Sequence, residues 1–150
     1  MMMKIFLKTF SVVLFLGMGF NSFAQNENTD TLTNAVKEIA DFNIYETTCT
    51  VGYSNIASSQ YQRFILLTSV AKTEDLIILA TTHKNPVVRL YSFQALKKRN
   101  AEIPSTLIAK FKTDLNEVIS LQGCLAENTT VNLLTNDIFI PSTNYKLIKE

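Results

Sequence analysis

Residues 82–99 read THKNPVVRLYSFQALKKR, and the Asn85-Pro86 step inside them constrains the fold more than any other feature. Proline has no N–H to donate, which costs nothing at the first position of a helix, and asparagine before it is a strong N-cap. The residue before a proline also avoids helical dihedrals, so the preceding helix cannot run through Asn85. Apolar residues crowd both sides of the step, LIILA at 76–80 and VVRLYSFQAL at 87–96. The spacing therefore predicts two helices meeting at a tight turn. Glu74 and Asp75, just after a candidate cap at Thr73, suit the positive end of the first helix. Lys97, Lys98 and Arg99 suit the negative end of the second, and Asn100 suits its closure.

The neighbouring stretches extend this pattern. Leu32, Ala35, Val36, Ile39 and Ala40 recur at helical spacing, predicting a helix over about 32–41. Ser59 and Gln62 fit a capping box ahead of FILLTSVA, so a helix is expected from Ser59 to Ala71. Its apolar residues spread beyond one face, which predicts cover on more than one side. Pro104 opens a further helix carrying Leu107, Ile108 and Phe111. Residues 43–59 change to Thr, Ser, Gly and Asn and read as an ordered loop, with a short extended piece near Cys49. Val118–Leu121 reads as a strand ending at Gly123-Cys124. Residues 127–140 read as helix from a Thr129 or Thr130 cap, with strand a close alternative.

The amino terminus is of another kind. Lys4 and Lys8, the apolar run 10–20 and the small residues Ser22 and Ala24 read as a signal peptide over residues 1–24, cleaved near Ala24. A membrane anchor is the alternative, but the run from Ile5 to Phe20 is interrupted by Lys8 and is shorter than the ~20 apolar residues that span a bilayer. The organisation expected is then a flexible tail at 25–30, one domain at 31–140 and a terminal tail at 141–150. Removing Lys4 and Lys8 leaves 12 bases against 13 acids, a net charge of −1. A surface so nearly neutral argues against nucleic acid and against a polybasic membrane patch. In an exported chain the two cysteines, Cys49 and Cys124, predict a disulfide, worth about 4 kcal/mol through loop closure. Two buried thiols are the other reading.

Candidate chemistry is sparse. His83 is the single histidine and has no cluster of ligand-type residues at metal spacing, so neither a metal nor a cofactor is expected. A Cys–His nucleophile would need a free thiol beside it. Glu74-Asp75, Asp114 and Glu117 read as ordinary capping and turn acids, and Ser54, Ser58 and Ser59 lack a nucleophile-elbow context. The sequon Asn128-Thr129-Thr130 has meaning only in a eukaryotic secretory route. Lys97, Lys98 and Arg99 read as a solvated helix end or as a contact for an acidic partner. Tyr45, Tyr53 and Tyr61 read as core or as a recognition surface.

Val88-Arg89 followed by Ala95-Leu96, six and seven residues beyond the arginine, resembles the second helix of a HEAT-like repeat. The resemblance covers residues 73–96, with the helix at 59–71 as the tail of a preceding unit. It implies a mainly α fold: a short stack of α-hairpins that bury one another's apolar faces, finished by a small disulfide-linked loop and strand segment. In such repeats the arginine bonds an acid in a turn. The turn here, His83-Lys84-Asn85, holds none, leaving Glu74, Asp75 or backbone carbonyls to Arg89. Pro86 and Arg89 are thus expected to be structural. The function expected is an exported, non-catalytic protein-interaction or structural module, periplasmic or extracellular, with a protein as partner. A small periplasmic enzyme or enzyme inhibitor is the alternative.

Overall fold

The computed structural model describes residues 20–46, 50–51, 56–122 and 125–138. It is mainly helical, with a small three-strand mixed sheet. In chain order the elements are α1 (Phe20–Phe42), β1 (Ile44–Glu46), β2 (Thr50–Val51), β3 (Ile56–Ala57), α2 (Ser59–Val70), α3 (Thr73–Thr82) and α4 (Pro86–Lys98). They continue with α5 (Ser105–Thr113), β4 (Glu117–Gln122), β5 (Leu125–Thr130) and α6 (Val131–Ile138). No repeated hairpin is evident among the described residues beyond the pair α3–α4.

The centre of the molecule is α4. Val87, Val88, Leu90, Tyr91, Phe93, Ala95 and Leu96 are all buried, against α1, α2, α3, β1 and β4. Burial of each larger side chain contributes about 2 kcal/mol. The sequence sets both ends of this helix. Asn85 Oδ1 accepts from the N–H groups of Val87 (2.8 Å) and Val88 (3.2 Å), with Pro86 in the first turn. At the other end Asn100 takes φ 52°, the left-handed conformation that asparagine tolerates. Ala101 N–H then reaches Leu96 O (3.0 Å) and Asn100 N–H reaches Lys97 O (2.9 Å), a Schellman closure.

Around this axis, α1 contributes Ala35 and Ile39, α2 Phe64 and Leu67, α3 Leu76 and Ala80, and α5 Leu107 and Phe111. Phe93 and Phe111 meet at 4.6 Å between ring centroids. The helix α1 runs through residues 25–30, where the sequence reads as a polar tail, and ends at Asn43, with φ 52°. Fully buried Gln60 then donates to Ile44 O (2.9 Å) and Ile39 O (3.4 Å), while Asn85 Nδ2 donates to Ala40 O (3.3 Å).

Two local expectations are corrected. The cap of α2 is Ser58, not Ser59: its Oγ accepts Tyr61 N–H at 3.0 Å. The cap position of α3 is Lys72, whose N–H bonds Asp75 Oδ2 at 3.2 Å, and Thr73 is already helical. As expected, α2 is covered on more than one side, by α1, α4 and β1, while Ile65 and Leu66 stay exposed. Residues 127–138 take both forms left open by the sequence, strand to Thr130 and helix from Val131.

The sheet has order β1-β4-β5, with β4–β5 antiparallel and β1–β4 parallel. Val118 and Ser120 point to the helices, while Ile119 faces away. A parallel pair needs a long crossover, and here α2 to α5 supply it. The hairpin β2–β3 pairs separately, Thr50 with Ala57 and Val51 with Ile56. Cys49, Cys124 and residues 139–150 lie outside the described residues.

Candidate functional site

Two depressions hold buried acids. The first lies where the α3–α4 turn meets the turn after α5. Its cavity, about 570 Å³, is lined by His83, Arg89, Lys110, Asp114 and Asn116 among others. Arg89 Nη1 donates to His83 O (2.9 Å) and Lys84 O (3.2 Å), the backbone carbonyls that the sequence left as candidates. Glu74 and Asp75 are not its partners. Instead Arg89 Nη2 and Nε both donate to Asp114 Oδ2, at 2.6 and 3.2 Å. The other oxygen of Asp114 accepts from the backbone and side-chain N–H groups of Asn116. Burial alone would raise the pKa of Asp114, but Asn116 and Arg89 outweigh it and hold the carboxyl below its usual range. Asp114 O and Asn116 O also accept the N–H groups of Asn132 and Val131, at 2.9 and 3.0 Å, fastening α6 to the same corner. In this corner the imidazole of His83 helps form the turn, Nδ1 accepting Asn85 N–H at 3.1 Å.

The second depression lies between α2, α4 and the helix-facing side of the sheet. Its cavity, about 400 Å³, is lined by Tyr45, Tyr61, Phe64, Tyr91, Gln94 and Leu134, with Glu46, Ser120, Gln122 and Glu127. Four rings run in sequence, Tyr45–Tyr91–Phe64–Tyr61, with centroids 5.0, 5.4 and 5.8 Å apart. Two polar anchors fix them. Tyr91 Oη accepts Glu46 N–H at 2.8 Å and donates to Glu46 O at 3.3 Å; Gln94 Nε2 donates to Tyr45 Oη at 2.8 Å. Burial pushes Tyr45 up to about 12, against the opposing Gln94 bond, and pushes Tyr91 up further despite its Glu46 bond. Neither phenol ionises near neutral pH.

Glu46 is the unusual member. It is 6% exposed, and its Oε2 has no hydrogen-bond partner among the described residues. Burial raises its pKa, and the charge of Arg63 pulls it back. Arg63 itself is engaged elsewhere, with Glu38 (3.0 Å), Gln60 Oε1 (3.3 Å) and the Phe42 ring.

Among the residues expected to matter, Pro86 and Arg89 hold the structural positions described above. Tyr45 and Tyr61 come together in the second cavity; Tyr53 lies outside the described residues. Two bases of the triplet 97–99 have different surroundings. Arg99 donates to Ala71 O (2.7 Å) and to Thr68 O, capping the end of α2. Lys98 Nζ stands over Phe64 and Tyr61, 5.4 and 5.7 Å from the ring centroids. Asp114 and Glu46 carry more than their sequence context suggested. Asp114 reads as a turn residue, and its partner is 25 positions away. Glu46 offers no signal beyond an acid beside Tyr45: strand alternation alone would send the two to opposite faces, yet both are buried.

Among the described residues no group of three or more His, Cys, Asp or Glu side chains is placed to hold a metal, and no helix is long and apolar enough to cross a membrane. Neither a protein-family model nor a curated protein matches this chain.

Proposed function

We propose that the chain is an exported, non-catalytic binding module, with a HEAT-like helical core and a Cys49–Cys124 bridge, that recognises its partner at the ring-lined cavity. The single observation behind the binding role is the character of that cavity. Its polar lining consists of amides, a serine, three phenols, of which Tyr45 and Tyr91 are kept neutral by burial, and carboxylates, without a nucleophile and base in contact among the described residues. Such groups hold a ligand by stacking and hydrogen bonding.

The HEAT-like reading draws support from Arg89, which grips its own turn's carbonyls and reaches an acid in a later turn. The bridge draws support from the two cysteines of a chain read as exported. Export rests on the leader-like residues 1–24.

The test compares the mature protein with a Tyr61→Ala, Phe64→Ala variant as bait in an envelope fraction. The expected result is a partner retained by the first and lost by the second at equal folded concentration. Equal retention by both would remove the cavity from the binding role. Intact mass before and after reduction and alkylation tests the bridge: alkylation of both cysteines without reductant excludes it.

A further inference from the structure

We propose that the ring-lined cavity binds an organic ammonium group, with Glu46 as its counter-charge. This rests on the binding role given above and deepens it. A carboxylate removed from water needs a partner cation or a proton. Among the described residues Glu46 Oε2 has no hydrogen-bond donor, and Arg63, whose charge acts on it, is held by Glu38, Gln60 and Phe42; the oxygen is covered, so its charge acts on the cavity through the lining and not by contact. The walls are aromatic, and ring faces attract ammonium groups. The protein already shows this attraction, because Lys98 rests its own ammonium over Phe64 and Tyr61. Glu127 adds a second carboxylate at the exposed side, and Gln94, Ser120 and Gln122 supply polar atoms around it. An anion would meet two carboxylates here. A bare divalent cation would find only two acids, fewer than its usual oxygen shell. An organic ammonium matches both the rings and the charge, and the volume of about 400 Å³ suits a ligand of a few heavy atoms.

The experiment is calorimetric titration of the full mature chain, at low salt and neutral pH, with choline and butylammonium. Their neutral counterparts, 3,3-dimethylbutan-1-ol and butanol, are run beside them. At least one cation is expected to bind tenfold or more tightly than its neutral counterpart. Glu46→Gln should weaken the cation about tenfold and leave the alcohol unchanged. Lys98→Met should tighten the cation two- to fivefold, by removing the resident ammonium. Equal binding of cation and alcohol overturns the proposal, as does undiminished cation binding in Glu46→Gln; so does no heat from either cation. If Glu46→Gln fails to fold, Lys98→Met decides: weaker or unchanged cation binding overturns the assignment. Should the envelope bait experiment succeed while these titrations fail, the cavity binds a partner of other chemistry. Failure of both removes the binding role itself.

Discussion

Two buried acids in this chain have opposite fates. Asp114 sits in a corner where each oxygen has donors: Arg89 on one, Asn116 on the other. Glu46 sits among rings with one oxygen unpartnered within the described residues. Their pKa values move accordingly, Asp114 down and Glu46 up. Burial penalises both, so it cannot explain the difference; the supply of donors does. A satisfied buried acid fixes architecture. An unsatisfied one costs stability and stays where something else uses it.

The largest effect should come from breaking the satisfied site. Arg89→Ala leaves Asp114 a buried, uncompensated charge, since both side chains are nearly covered, at 7% and 6% exposure. The expected loss is about 3–5 kcal/mol, read from urea denaturation. Asp114→Asn in the same background should then cost little more. An additive double mutant would show that the two side chains act independently.

Next is the anchor of the other site. Tyr91→Phe orphans both the N–H and the C=O of Glu46, and should cost about 1–3 kcal/mol. Amide exchange at Glu46 should accelerate in the same variant.

Glu46→Gln should act in the opposite direction, stabilising the free protein by about 1 kcal/mol at neutral pH. The pH dependence distinguishes the acids. A raised folded pKa gives a contribution fully present below the unfolded value, 4.5 for Glu46, and lost as pH rises through the folded value. The lowered pKa of Asp114 gives one present above 3.8 and lost as pH falls through the folded value. Glu46→Gln should therefore flatten a stability-against-pH curve above pH 4.5, and Asp114→Asn should flatten it below 3.8. The groups that bear on Glu46 in this experiment are Arg63, Tyr91, Tyr45 and Glu127. The smallest effect belongs to Glu127→Gln, at the exposed edge of the same cavity. Its melting curve should stay within about 0.5 kcal/mol of the parent, separating a rim acid from a buried one.

The sequence shows local geometry better than distant partnership. Asn85-Pro86, Asn100 and the strand around Val118–Leu121 are visible because caps, prolines and alternation act over a few residues. The cap of α2 slipped from Ser59 to Ser58 because two adjacent serines offer the same chemistry. The two acids were opaque for a stronger reason. Whether Asp114 is a turn residue or half of a buried ion pair depends on where Arg89 lies after the helices pack. Whether Glu46 is covered depends on α2, α4 and β4 together. Ile65 and Leu66 show the converse: residues apolar enough for a core remain outside because no described element packs over them.

The alliance of Ile44–Glu46 with Ile119–Leu121 has a kinetic corollary. These three-residue partners cannot find each other until the intervening chain has drawn its ends together, and that closure is entropically unfavourable until the helices compact it. Long-range pairing of this kind slows folding relative to helical contacts. In a refolding pulse-labelling experiment, protection should reach the amides of α4 first and those of β1 last, so the cavity is assembled only at the close of folding.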